Sequence, residues 1–210
     1  MKDNQNISIS VIKRLPRYYR FLGELKKQGI TRISSGELAK RMNLTASQIR
    51  QDLNCFGGFG QQGYGYNVEM LYDGIGEILN ITDLTPAIML GVGKLGVVVA
   101  ENMKFEKQGF KLIGAFDVDS EVIGNEVAGL TVKSLDELEA FCKEKSPKAA
   151  FMCVPSSAAP DLAEKLIELG VIGFWNFSHY DIGIKHPEVS VENVHFGDTL
   201  MRLSYKIKNS

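Results

Sequence analysis

Leu15, Tyr18, Leu22 and Leu25 recur every three or four residues, the spacing of one face of an amphipathic helix that stops at Gly29. Pro16 falls in its first turn, where a missing N–H does little harm. Ser34-Ser35-Gly36-Glu37 has the form of a capping box and opens a second helix through Leu38 and Met42, which Asn43 can close in the left-handed conformation. Thr45-Ala46-Ser47-Gln48 repeats the capping pattern ahead of Ile49 and Leu53. Two short helices parted by Asn43-Leu44 predict a helix-turn-helix. Residues 57–66 then carry three aromatics among five glycines, which fits a β-hairpin with a glycine-rich tip better than a linker. A linking helix is expected over 68–79, with Met70, Leu71, Ile75, Ile78 and Leu79 on its apolar face.

From residue 86 the pattern changes to alternating strands and helices, the mark of a parallel sheet with crossover helices. Strands are predicted at 87–90, 112–116, 131–132, 149–154 and 172–177, and helices at 95–105, 135–144 and 160–169. Ser134-Leu135-Asp136-Glu137 supplies a capping box for the second of these helices. A last amphipathic helix is expected over 199–208, with Leu200, Leu203 and Ile207 in register. The expected organisation is thus a winged-helix domain with its linking helix in residues 1–84, a doubly wound α/β domain in 85–198, and a closing helix in 199–210.

Charge sharpens this division. Residues 1–66 hold eleven Lys and Arg against four Asp and Glu, a net +7, and the remainder holds 13 basic and 21 acidic residues, a net −8. The overall −1 conceals a basic front end on an acidic body, which points to a polyanion-binding module joined to something else. At 210 residues, 44% hydrophobic and 23% charged, the chain is of ordinary globular composition and long enough to bury a core. No apolar run reaches a membrane span, and the polar start lacks a signal core. Three cysteines without a CxxC pair imply reduced thiols in a cytoplasm, and no His/Cys spacing suits a metal.

Chemistry concentrates after the first α/β strand, where Gly91-Val92-Gly93-Lys94-Leu95-Gly96 forms GxGxxG at a strand-to-helix turn. Gly91 permits the tight turn, Gly93 lets the backbone approach a pyrophosphate, and Gly96 lets the helix pack on the sheet. The helix start then offers N–H donors and positive dipole to phosphates. Asp117 ends the second strand, 21 residues beyond Gly96, and can accept hydrogen bonds from both adenosine ribose hydroxyls while repelling a 2′-phosphate, so NAD+/NADH is expected over its phosphorylated form. Val118 follows it, and Val154-Pro155 ends the fourth strand at the same sheet edge, beside the expected nicotinamide. Too few residues follow the last strand for a catalytic domain, and His179, His186 and His195 show no partner spacing, so no catalytic residue is assigned. A small NAD(H)-dependent oxidoreductase with a basic accessory domain and a coenzyme A-binding module are the competing readings. Asp117 suits a ribose diol rather than the 3′-phosphate of coenzyme A.

The order of these features resembles the redox-sensing transcriptional repressors of the Rex family over nearly the whole chain. The resemblance is carried by residues 14–20 and 33–38, Gln48-Ile49-Arg50-Gln51-Asp52-Leu53, Gly63-Tyr64-Gly65-Tyr66, the glycine turn, Phe116-Asp117-Val118-Asp119, Gly173-Phe174-Trp175-Asn176-Phe177 and Val191-Glu192-Asn193-Val194. It implies a homodimer that binds palindromic operator duplex DNA, is released by NADH, and swaps its C-terminal helix between protomers. It places Ser47, Gln48, Arg50 and Gln51 in the major groove, with Arg14, Tyr64 and Tyr66 also at the DNA, and Phe196 near the nicotinamide. Arg20 matches an arginine of the family's switch. His195 replaces the acid that pairs with it in some relatives, Asn102 replaces a tyrosine, and Gln51 replaces a basic residue. Asp181 and Asp198 are the nearest acids that could stand in for the missing one; Asp198 is expected first as the residue that opens the closing helix, and His195 itself is the alternative.

Overall fold

The computed structural model describes residues 7–56, 60–61 and 64–209, which divide into two compact units, Met1–Thr82 and Asp83–Ser210. In the first unit a short helix α1 (Ile9–Ile12) leads into α2 (Leu15–Lys27). The predicted stripe is what α2 buries: Leu15, Tyr18, Leu22 and Leu25 are at most 1% exposed. A strand β1 (Arg32–Ile33) precedes α3 (Ser35–Met42) and α4 (Ala46–Asn54). Ser34 and Glu37 complete a reciprocal capping box, and Asn43 closes α3 at φ 51°. Thr45 accepts from the Gln48 amide, but the second box is only half formed because the Gln48 side chain turns to Asp52 instead.

Strands β2 (Gly60–Gln61) and β3 (Gly65–Asn67) pair antiparallel, and β3 also pairs with β1, giving a three-stranded sheet in the order β1-β3-β2. Residues 57–59 and 62–63 of the expected hairpin lie outside the described residues. Helix α5 (Val68–Ile78) packs on α2, with Tyr19 and Tyr72 stacked at 4.2 Å and Lys26 paired to Glu69 at 2.9 Å. Met70, expected on the apolar face of α5, is 67% exposed; Val68, Leu71 and Ile75 set the buried phase and leave it outside.

The second unit is a seven-stranded sheet: β4 (Thr85–Leu90), β5 (Phe110–Asp117), β6 (Glu126–Val127), β7 (Leu130–Ser134), β8 (Ala149–Met152), β9 (Gly173–Asn176) and β10 (Ser190–Asn193). Their order is β10-β9-β8-β4-β5-β7-β6. All pairs are parallel except β6 with β7, so the expected parallel sheet carries an antiparallel edge. Helices α6 (Lys94–Asn102), α7 (Leu138–Lys145) and α8 (Ala159–Glu168) cover the sheet, α9 (Ile182–Lys185) lies between β9 and β10, and α10 (Phe196–Lys208) follows the last strand. Side chains alternate along β4: Ala87 and Met89 enter one core, Ile88 and Leu90 the other. Along β8, Ala149 and Phe151 join the first, Ala150 and Met152 the second. Burial on both faces is why these strands read as continuous apolar runs.

Candidate functional site

Strand order reverses at β4, with β5 on one side and β8 on the other, which opens a crevice at the carboxyl ends of the strands. The glycine turn fills that position. Gly91 has φ +86°, and a Cβ there would lie 2.5 Å from the Cys153 carbonyl oxygen. A Cβ on Gly96 would collide with the Gly91 carbonyl oxygen. A Cβ on Gly93 would meet nothing within 4 Å. Two glycines are therefore demanded by the fold, whereas the third opens onto space at the start of α6. Gly93 is the N-cap of α6 and gives no side-chain cap, so no side chain of its own cap takes the first-turn amides of Lys94, Leu95 and Gly96, the donors that a helix start offers to an anion. These features fit a dinucleotide pyrophosphate.

Asp117, at the end of β5, is already oriented. One carboxylate oxygen accepts from the Val92 amide at 2.6 Å, the other from the amides of Val118 and Asp119 at 2.7 and 3.0 Å. Each oxygen keeps lone-pair capacity for a ribose diol beside the turn it braces. Val118 is 76% exposed next to it. Strand β8 ends at Met152, two residues short of the expected 154, but Cys153 still donates to the Leu90 carbonyl at 2.8 Å before the chain peels away. Val154 then lies against the Gly91 turn, and Pro155 is exposed at the same edge. Burial pushes the Cys153 thiol up to about 12, which leaves it protonated and unsuited to act as a nucleophile. A separate cavity of about 430 Å³ between α7 and α8 is lined by Glu139, Asp161, Glu164, Lys165, Glu168 and Leu169, four acids against one cation, a balance that disfavours a phosphate.

Beyond β9 and β10 the chain gathers a polar corner that sequence spacing did not reveal. His195 Nε2 lies 3.1 Å from the Ser178 carbonyl oxygen, its ring is 5.2 Å from that of His179, and its Nδ1 is 3.7 Å from Asp198. Helix α10 starts at Phe196, three residues earlier than predicted, so His195 is the N-cap and Asp198 stands in the first turn rather than opening the helix. Phe196 is 58% exposed, with its ring 6.4 Å from Phe177. Asn102 ends α6 and bonds only to the Val98 carbonyl, among the contacts described.

In the first unit, Ser47, Arg50 and Gln51 are exposed on α4, and Gln48 is half-buried. Arg50 reaches Ser35 Oγ at 3.1 Å. Tyr64 is 70% exposed beside Arg32, whose guanidinium lies 5.9 Å from its ring. Arg20 is exposed near Phe21. Of the residues expected at the DNA, Tyr66 is buried and Arg14 is half-buried. Tyr66 is 8% exposed, because its place opposite Ile33 on β3 faces the helices. Arg14 makes a bidentate pair with Asp52 at 2.7 and 2.8 Å, and Asp52, 1% exposed, also accepts from Tyr18 and Gln48. Burial works to raise the Asp52 pKa, but the bonds from Arg14, Gln48 and Tyr18 prevail and hold it below the usual carboxylate range. Asp52 was missed as an organiser, although an acid in the Ile49–Leu53 stripe was a readable signal.

Residues 6–54 match the family model described as "Putative DNA-binding protein N-terminus", and residues 82–180 match the CoA binding domain model. The redox-sensing transcriptional repressor Rex of Caldicellulosiruptor saccharolyticus is 45% identical over 207 residues, covering 99% of this chain and 94% of that protein. The chain belongs to the Rex family of redox-sensing transcriptional repressors. Rex of Clostridium tetani is 46% identical over 206 residues, 98% of this chain and 97% of its own. Among solved structures, the family repressor RSP in complex with β-NAD+ and operator DNA matches with a TM-score of 0.91 at 42% identity, over 97% of this chain and 93% of that one. RSP in complex with β-NADH matches at 0.88 and 39% identity, over 98% and 96%. Family membership accounts for a helix-turn-helix and a dinucleotide-type turn on one chain. The coenzyme A label and Asp117 are compatible, since a glycine turn on a parallel sheet is common to both ligand classes and the acid is what separates them.

Proposed function

We propose that this chain represses transcription by binding palindromic operator duplex DNA as a homodimer, and that NADH releases it while NAD+ permits binding. The observation that carries the reading is the turn at Gly91, Gly93 and Gly96 with Asp117 braced beside it, on the same chain as a capped helix-turn-helix. Gly93 and the amides of Lys94, Leu95 and Gly96 border the pyrophosphate site, Asp117 (braced by the Val92 amide) and Val118 the adenosine, and Val154, Pro155 and Phe196 the nicotinamide. Bound there, the nicotinamide supplies a difference in charge and ring planarity between its two redox forms. Only a difference in affinity for two conformations can turn this into a DNA response. Ser47, Gln48, Arg50 and Gln51 are the groove-facing residues of α4, and Tyr64 meets the backbone beside it.

Support for the homodimer comes from α10. None of its residues is buried, and Leu200, Leu203 and Ile207 form an unpartnered apolar face 52–68% exposed. A 13-residue helix with such a face needs a partner surface to persist, and a swapped position on a second copy supplies one. His195 and Asp198 occupy the corner where the family's switch acid is expected, opposite the role of Arg20, and Asn102 supplies no phenol to that wiring. We assign no catalytic residue. Among the described residues, no helix is long and apolar enough to cross a membrane and no cluster of His, Cys, Asp and Glu could hold a metal ion.

The test is fluorescence anisotropy of a labelled palindromic duplex bound to the protein. Adding NADH should release the duplex, and adding NAD+ should not. A parallel assay with NADH and a panel of carbonyl compounds should give no turnover. Turnover together with indifference of the duplex to NADH would favour the oxidoreductase reading.

A further inference from the structure

Gln48 is the third residue of α4, in the turn where a helix-turn-helix brings side chains to base edges. Its side-chain Nε2 donates to Asp52 Oδ1 at 3.0 Å. An ionised carboxylate only accepts, so the amide can be placed one way round, with nitrogen toward Asp52. Asp52 itself cannot turn. Arg14 grips both of its oxygens at 2.7 and 2.8 Å, and the Tyr18 hydroxyl donates to it at 2.8 Å. Arg14 and Tyr18 come from the end of one helical segment and the buried face of the next, so the anchor is fixed from outside α4.

With one N–H committed, Gln48 keeps one N–H and its whole carbonyl oxygen. A donor beside an acceptor is the pair that matches adenine N7 and N6 in the major groove. An unrestrained glutamine on a helix surface loses rotamer freedom on reaching this geometry. Here the buried carboxylate has removed that freedom before DNA arrives. We propose that Asp52, locked by Arg14 and Tyr18, holds Gln48 as a pre-oriented reader of adenine in each operator half-site. Gln48 is then a specificity-determining residue, and Asp52 and Arg14 are positioning residues. The inference rests on the DNA-binding reading of the first unit.

The test uses the full chain and a pool of duplexes randomised over a palindromic half-site, with the bound fraction sequenced. Wild-type protein should select an A·T pair at one position in each half-site. Gln48→Met, close in shape but unable to hydrogen-bond, should reduce that preference about tenfold or more and leave the other positions intact. Asp52→Asn should relax the same position, with thermal melting confirming that the variant is folded. If Asp52→Asn fails to fold, Gln48→Met decides alone, since it leaves Arg14 and Tyr18 on Asp52. An unchanged selected sequence with Gln48→Met overturns the proposal, because a glutamine that only satisfies Asp52 alters melting and not base preference. A pool from which wild type selects nothing contradicts the DNA-binding reading itself, a different result from an unchanged consensus.

Discussion

The three glycines of one motif differ in what they do for the chain. A Cβ on Gly91 or Gly96 would strike backbone, and one on Gly93 would meet nothing within 4 Å. Gly93→Ala should therefore melt like wild type yet bind NADH at least about tenfold more weakly, because the methyl group enters the ligand's space. Gly96→Ala should lower the melting temperature itself. Calorimetry paired with thermal melts separates the two effects, and a normal NADH affinity in Gly93→Ala would remove the pyrophosphate from that spot. Asp117→Ala should cost roughly 1.5–3 kcal/mol of NADH binding, about tenfold or more, and narrow the gap between NADH and NADPH. Sequence spacing singled out Gly91, Gly93, Gly96 and Asp117: Gly91, Gly96 and Asp117 answer packing and hydrogen-bond requirements of the turn, whereas Gly93 leaves space open at the helix start. It did not reveal that Tyr66 is buried and Arg14 tied to a buried acid, because a charge or a phenol in a basic segment looks exposed until the buried partner is known. In Arg14 that partner is Asp52, 38 residues away.

Elements whose ends carry a marked cap were legible, as the Ser34–Glu37 capping box and the left-handed Asn43 at either end of α3 demonstrate. Strands β6 and β10 were not, since a two-residue strand has no period and β10 carries one partly buried side chain. The start of α10 was placed late because His195 makes no side-chain cap bond that a sequence pattern would flag. The clamp on α4 carries an energetic prediction of its own. Arg14→Ala leaves Asp52 buried without its cation, a loss of up to roughly 3–5 kcal/mol for a fully buried pair and less here, where the Arg14 side chain is 28% exposed. Asp52 has a folded pKa below its unfolded value, so its contribution is complete above the unfolded value of about 3.9 and is lost as pH falls through the lower folded one. Thermal melts below about pH 4 should therefore fall more steeply for wild type than for Asp52→Asn. Equal slopes would show that this carboxylate does not carry the acid limb.

At the scale of the whole molecule, a basic unit and an acidic unit share one chain, and the account requires that ligands on the two be linked. The exposed apolar face of Leu200, Leu203 and Ile207 on α10 is the feature of the second unit that a second copy would complete. Deleting residues 199–210 should yield a monomer by analytical ultracentrifugation, with DNA affinity no longer responsive to NADH. A truncated protein that stayed dimeric and still left its duplex on adding NADH would make that helix dispensable. The central claim is the linkage itself, and equilibrium linkage is reciprocal. If NADH weakens duplex binding by some factor, saturating duplex must weaken NADH binding by the same factor. NADH affinity measured by calorimetry on the free protein and on the protein saturated with its selected duplex tests this directly. NADH should bind more weakly in the presence of duplex, by a factor matching the loss of DNA affinity. Equal NADH affinities with and without duplex would mean that the two units share a chain but no switch.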